Sequence, residues 1–204
     1  MVPVWTICSD SQTAANHTLI ESIFSFTYAG ASPALMGACA KRNVALSFLT
    51  PTGRFLAKSS GASQGNVLLR RTQYRVADQE AVACRVARNF IFGKIYNCRW
   101  VIERTLRDHA LRVDEVALHD ASQKLHDALP AIASAETPGE LLGLEGAAAT
   151  VYFGVFDQLI LNQKEAFFFH GRNRRPPLDN VNALLSFTYT LLASDCTAAL
   201  EAVG

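Results

Sequence analysis

A single glutamate, Glu145, falls among apolar residues in "TPGELLGLEGAAATVYFGVFDQLI", residues 137–160. Thr137 as cap, Pro138 in the first turn and Glu140 three residues after the cap predict a helix that begins there. Stepping about 100° per residue from Leu141 puts Ala148, Tyr152, Val155, Phe156 and Leu159 in one stripe, with Gly143, Gly146, Thr150, Gly154 and Asp157 opposite. Glu145 lies inside the apolar stripe. An ionised carboxylate there costs several kcal/mol unless it is paired, hydrogen-bonded or bound to a cation. Leu141, Leu142, Ala148 and Ala149, its neighbours within helical reach, carry no positive charge. The partner therefore comes from elsewhere in the fold or from solution. Two readings are open: a Glu–Arg pair or a boundary position met by water, and a metal ligand or acid/base.

A second constellation follows in "FFFHGRNRRPPLDNVNALLSFTYTLLASD". Arg172, Arg174 and Arg175 stand before a double proline that forbids helix, and Asp179 is placed to cap the next one. Val181, Leu184, Leu185, Leu191 and Leu192 give that helix an apolar side, which would anchor the arginine loop. Arginine forks match phosphate oxygens in two-point geometry. Pairing with acids of the middle of the chain would account for the same cluster.

Charge is segregated although the net balance is only +1. From Lys41 to Arg112 there are 14 Lys and Arg against four acids, a balance of +10; from Val113 to His170 two Lys face nine acids, a balance of −7. A basic block of that size attracts phosphate backbones, although a solvated helix face would supply part of the count. The five cysteines, Cys8, Cys39, Cys84, Cys98 and Cys196, have no C-x-x-C spacing and read as small core residues. His119 and His126 share a helix face seven residues apart, a pattern more typical of a solvated surface than of a metal pair. No run of 18 apolar residues and no basic-then-apolar opening is present, so a cytoplasmic protein without a membrane span is expected.

The elements that must position these residues read as α+β: a small N-terminal β-sheet domain over residues 1–66, then a mainly α-helical domain over 67–204. Residues 19–28 alternate as a strand, Ser32 and Pro33 start a short helix, "VALSFLT" is a second strand, and residues 55–57 follow the turn "PTGR" as a third. Lys58 to Asn66 reads as a loop and domain boundary. Residues 73–109 contain no proline and repeat apolar residues at Val82, Val86, Phe90, around Ile95, and at Cys98, Ile102 and Leu106. One long helix is expected, with Gly93 as its natural break. A weaker helix over 116–129 is kinked or ended by Pro130, and the last helix starts near Asn180. Residues 1–18 show neither pattern.

"LLGLEGAAATVYF" followed by "GRNRRPPLDNVNALLSFTYTLL" resembles the CRISPR-associated endonuclease/integrase of spacer acquisition, the Cas-one family, most like its type I-C members. "TYAGASPALMGACAKRNVALSFLTPTGRFLA" is similar to the end of that family's sheet domain, and "GNVLLRRTQYR" to the entry of its helical domain. The resemblance runs from about Leu19 to Gly204. It implies a homodimer that works with the Cas-two protein on prespacer and repeat DNA. It also implies Glu145 as one of three ligands of Mg²⁺ or Mn²⁺, with a histidine and an aspartate from later in the chain. The metal would activate a DNA 3′-hydroxyl for attack on a phosphodiester. Arg172, Arg174 and Arg175 become the leading DNA contacts, with Arg70 and Arg71 behind them.

The sequence departs from the family pattern at both ends. The segment that carries the histidine and aspartate ligands is expected beyond Gly204, and "MVPVWTICSDSQTAANH" resembles none of the family's first strands. A chain shortened at both ends is the expectation. A catalytically incomplete DNA-binding or assembly remnant stands as the alternative to an integrase.

Overall fold

The computed structural model describes residues 20, 22–59, 61, 67–174 and 176–203. Three strands and six α-helices are found among them. They form two compact units, one of the described residues up to Arg70 with those from Phe187 onward, the other Arg71–Ser186. The expected α+β class is what the structure has, a small sheet followed by a mostly helical region.

In the first unit β1 (Ser22–Ser25) runs parallel to β2 (Ala45–Leu49), with Ser22 opposite Ala45, and β3 (Phe55–Ser59) pairs antiparallel on the other side of β2. A parallel pair needs a crossover, and α1 (Pro33–Lys41) supplies it. Ser32 caps α1 by accepting a hydrogen bond from Leu35 N, as its sequence predicts. The strand over residues 19–28 is shorter than expected, and Leu19 and Glu21 lie outside the described residues. β3 is longer than expected and includes Lys58, which pairs opposite Ser47, so the loop cannot begin at Lys58. Residues 60 and 62–66 of that loop are outside the described residues. The turn into β3 depends on Gly53 at φ +85, where a Cβ would come within 3.2 Å of the Phe187 ring.

The second unit is built on three helices, α3 (Glu80–His109), α4 (Glu115–Ser134) and α5 (Pro138–Val155). Their short connections make them packed neighbours. Ile95, Ile102 and Leu106 of α3, Leu118, Leu125 and Ile132 of α4, and Leu141 and Ala148 of α5 form the shared core. Two boundaries differ from expectation. The long helix is interrupted at Asp78–Gln79, where Gln79 is extended at ψ 95, so α2 (Val67–Ala77) is separate and α3 runs unbroken through Gly93. Ile91 and Ile95 pack on either side of that glycine, which holds its helical turn in place. Pro130 neither ends nor replaces part of α4. It is exposed, so the carbonyl it orphans one turn earlier faces water, while Leu129 and Ile132 hold the helix to the core.

The apolar phase of α3 holds from Ile95 through Ile102 to Leu106 and is corrected before it. Val86 and Phe90, at 47% and 73% exposure, point outward, and Cys84 is the buried residue of that part of the helix instead. Apolar residues on both faces hide the phase in the sequence. α6 (Asn180–Val203) starts as expected on Asp179, whose side chain accepts from Asn182 N at 2.7 Å. Its apolar side is only partly buried, since Leu184 and Leu192 are exposed. No helix among the described residues is long and apolar enough to cross a membrane.

Candidate functional site

α5 forms where the sequence places it. Thr137 accepts from Glu140 N at 3.2 Å, while the Glu140 carboxylate accepts from Glu136 N, one residue before the cap. Gly143, Gly146, Thr150 and Gly154 are exposed and Leu141 and Ala148 buried, as the helical stepping predicts. Glu145 therefore faces α3, and its partner there is the Lys94 ammonium, which donates to Glu145 Oε1. Ile95, buried beside Lys94, fixes the phase of that turn of α3. The Glu145 side chain is 22% exposed and that of Lys94 44%, which makes this a boundary pair rather than a buried one. Cys98 follows Lys94 by one turn. Burial pushes its thiol pKa up, the Lys94 ammonium pulls it down, and the Glu145 carboxylate pushes it up again.

The cation that the family resemblance implies sets its own donor requirement. Mg²⁺ takes about six oxygen ligands in near-octahedral geometry, keeps several of them as water, and is held by free carboxylates together with substrate phosphates. Among the described residues no group of three His, Cys, Asp or Glu lies close enough to hold a metal, and Glu145 is already paired with an ammonium. These residues do not by themselves fit a Mg²⁺ or Mn²⁺ ion. His119 and His126 are exposed on α4, and His126 Nδ1 lies 3.3 Å from Asp127 Oδ1.

The arginine loop is organised by a residue the sequence reading passed over. Asn182, with no exposed surface, accepts from Arg172 Nη1 at 2.8 Å and from Asn173 N at 3.0 Å. Its amide donates to Gly171 O at 2.9 Å and to Asp179 Oδ2 at 2.7 Å. Arg172 also donates to Asn173 O, so its fork braces the loop instead of standing open to a ligand. Burial raises the Asp179 pKa, but the hydrogen bonds from Asn182, Asn173 and Val181 N outweigh it and hold the carboxyl below its ordinary value. Arg174 is exposed, and Arg175 lies outside the described residues. Arg70 and Arg71 are exposed on α2. An asparagine at the third position of a helix, in "DNVNALL", is the sequence signal that points to Asn182.

Elsewhere in this unit, Asp157 closes the segment after α5. Lys164 Nζ donates to its Oδ2 at 2.6 Å and Phe169 N to its Oδ1 at 2.8 Å. Burial pushes the Asp157 pKa up, and these donors together with the charges of Lys164 and His170 bring it below its usual value. Between α3 and α4, the buried Ser122 hydroxyl donates to Glu103 and accepts from Arg99 Nε at 3.2 Å. The acids and bases of this network satisfy one another.

The profile of the family described as CRISPR associated protein Cas1 matches residues 7–204. A CRISPR-associated endonuclease Cas1 of Chlorobaculum tepidum is 45% identical over 186 residues, covering 91% of this chain and 54% of the relative. Another, from Rhodospirillum rubrum, is 46% identical over 186 residues, covering 89% and 53%. The chain spans about half the length of the curated relatives it matches. Among solved structures, a casposase bound to integration product is similar in fold, with a TM-score of 0.70 at 23% identity, over 89% of this chain and 49% of that one. A Cas6-RT-Cas1–Cas2 complex contains a chain similar to this one at a TM-score of 0.66 and 26% identity, over 89% of this chain and 19% of that one.

Proposed function

We propose that this chain, which belongs to the CRISPR-associated Cas1 family, is the acid-bearing and DNA-handling portion of a type I-C-like spacer-acquisition endonuclease/integrase. The proposed reaction joins prespacer DNA to the CRISPR repeat. A DNA 3′-hydroxyl attacks a phosphodiester, one P–O bond forms as another breaks, and the displaced strand leaves with its own 3′-hydroxyl. The observation that carries the reading is the placement of Glu145. The glutamate of the "LLGLEGAAATVYF" motif stands at a helix–helix boundary, partly withdrawn from water and reachable from it. The names of the relatives support the nuclease half of the proposal. The casposase bound to integration product supports the joining half through its fold.

In this reading Arg174, Arg70 and Arg71 meet DNA phosphates, while Arg172 shapes the loop that presents Arg174. Mg²⁺ or Mn²⁺ is the proposed cofactor of the whole protein, with Glu145 as one donor. A homodimer acting with the Cas2 protein in the cytoplasm is the proposed assembly. The pairing of Glu145 with Lys94 favours a second reading, in which this portion grips and positions DNA without performing the joining itself.

The two are separated by cleavage and strand joining on a labelled branched DNA, with Mn²⁺ and with EDTA, for the wild-type chain and Glu145→Ala. Product that needs Mn²⁺ and disappears in the variant supports the integrase. DNA binding that weakens steeply with salt, without product, supports the positioning role. Product from the variant equal to wild type overturns the assignment of Glu145.

A further inference from the structure

The outward side of α3 carries a stripe that neither the Glu145 pair nor the arginine loop uses. Phe92, Tyr96 and Trp100 recur one turn apart, about 6 Å along the helix axis, and are 37%, 42% and 46% exposed. Ile95 and Ile102, buried in the helical core, fix the rotation of α3 and keep these rings outward. Tyr96 and Trp100 meet edge to face with ring centroids 6.0 Å apart, and the Arg99 guanidinium lies 5.7 Å from the centre of the Trp100 ring. Arg85 begins the same stripe, exposed and with no hydrogen-bond or ion-pair partner among the described residues. Glu103, the acid on this stripe, accepts from Arg99 and Ser122, so its charge is met within the fold. Near the end of the helix Asp108 serves both Arg104 and Arg107, which leaves one positive charge in excess. Over its whole length α3 has six Lys and Arg against three acids, a balance of +3.

We propose that this stripe is a stacking platform for single-stranded DNA, on which unpaired bases cover Phe92, Tyr96 and Trp100 while Arg85 and Arg107 meet the phosphates. The inference rests on the reading of the chain as a DNA-handling portion and adds to it a single-strand site made of other residues than the arginine loop. Rings and guanidiniums on one helix face match a strand that offers a flat base and a phosphate at every step. Every base has a π face, so the platform needs no particular sequence. A duplex hides those faces in its own stack and shows only base edges in its grooves, so it gains little from the rings. A protein surface would also cover the rings, but the positive balance of α3 is met more fully by a chain that carries a charge at each unit.

The test uses the full 204-residue chain with a labelled oligothymidylate of about 12 nucleotides and a blunt duplex of the same length, read by fluorescence anisotropy. Trp100 is one of two tryptophans, so Trp5→Phe isolates its emission as a second readout. Trp100→Ala is expected to bind the oligothymidylate about tenfold more weakly, Trp100→Phe to stay within about threefold of wild type, and both to bind the duplex as wild type does. Arg85→Ala is expected to lower the salt slope of oligothymidylate binding by about one. Trp100 emission should fall as the strand binds. Oligothymidylate binding by Trp100→Ala within about twofold of wild type, an unchanged Trp100 emission, or an equal loss on the duplex overturns the inference. A dimer seen by sedimentation that Trp100→Ala breaks, with single-strand binding unchanged, makes the stripe a protein interface and also overturns it. Binding of branched or duplex DNA without binding of the single strand sinks this inference alone, whereas binding of neither sinks the DNA-handling reading with it. Each variant is checked for folding by circular dichroism, and Tyr96→Ala, with the same expected loss, takes the place of Trp100→Ala should that variant not fold.

Discussion

Replacing Asn182 by alanine should loosen the arginine loop more than any other single truncation in it. The buried amide makes four hydrogen bonds, with Arg172, Asn173 N, Gly171 O and Asp179. Arg172 Nη1 keeps Asn173 O as a partner in the variant, and Asp179 Oδ1 keeps Asn182 N, so those two groups lose little. Asn173 N loses its partner in a half-buried setting, while Gly171 O keeps a longer hydrogen bond from Asn173 Nδ2 at 3.4 Å. An orphaned buried polar group costs about 1–3 kcal/mol. With a urea slope of about 2 kcal/mol per molar, the midpoint of unfolding falls by roughly 0.5–1.5 M. Asn182→Asp sharpens the test. It preserves the acceptor toward Arg172 and Asn173 but turns a second oxygen on Gly171 O and on Asp179 Oδ2, so at neutral pH it should destabilise at least as much as alanine. A midpoint for Asn182→Ala within about 0.3 M of wild type, or an aspartate variant as stable as wild type, refutes the account of this loop.

Gly53→Ala places a side chain at φ +85 with its Cβ 3.2 Å from the Phe187 ring, itself 5.4 Å from that of Phe26. The left-handed backbone costs about 1–2 kcal/mol and the ring must shift, so Tm should fall by about 4 °C, read by thermal unfolding. No fall means that the turn into β3 takes another form. The lowered pKa of Asp157 fixes the sign of a pH effect. Its unfolded value is about 3.9, so its contribution is complete above about pH 4 and is lost as pH falls through the lower folded value. Unfolding midpoints measured from about pH 5 down to pH 2.5 should drop further for wild type than for Asp157→Asn. Parallel curves would show that the Lys164 and Phe169 contacts contribute nothing.

Features set by local chemistry were readable in the sequence. Ser32, Thr137 and Asp179 each announce a helix start, because a capping oxygen and its backbone donors lie within three residues of one another. The alternation of exposed glycines and buried alanine and leucine along α5 was readable for the same reason. What was not readable depended on distant residues. Gly93 and Pro130 look like helix breaks, yet flanking core residues hold both turns in helical form. Val86 and Phe90 look like core, yet α3 is apolar on two sides and only the packing of α4 and α5 chooses between them. Arg172 looks like an open cation, but its fork is engaged by an asparagine ten residues on. Lys94 was one of 14 basic residues in its block, and no spacing singles it out as the partner of Glu145.

That partnership bears on how an acid can be kept in a helix before any ligand arrives. Left alone, the Glu145 carboxylate would oppose the packing of α5 on α3, because its desolvation is not offset within its own helix. Lys94 removes that opposition at modest energy, since a boundary ion pair contributes about 1 kcal/mol at most. The small magnitude is what allows exchange. A deeply buried pair would cost several kcal/mol to open and would hold Glu145 against any incoming cation, whereas a pair that is 22% and 44% exposed opens within reach of water. The packing of α3 against α5 thus has its counter-charge for Glu145 within the chain, and a pair this exposed opens to water at little cost.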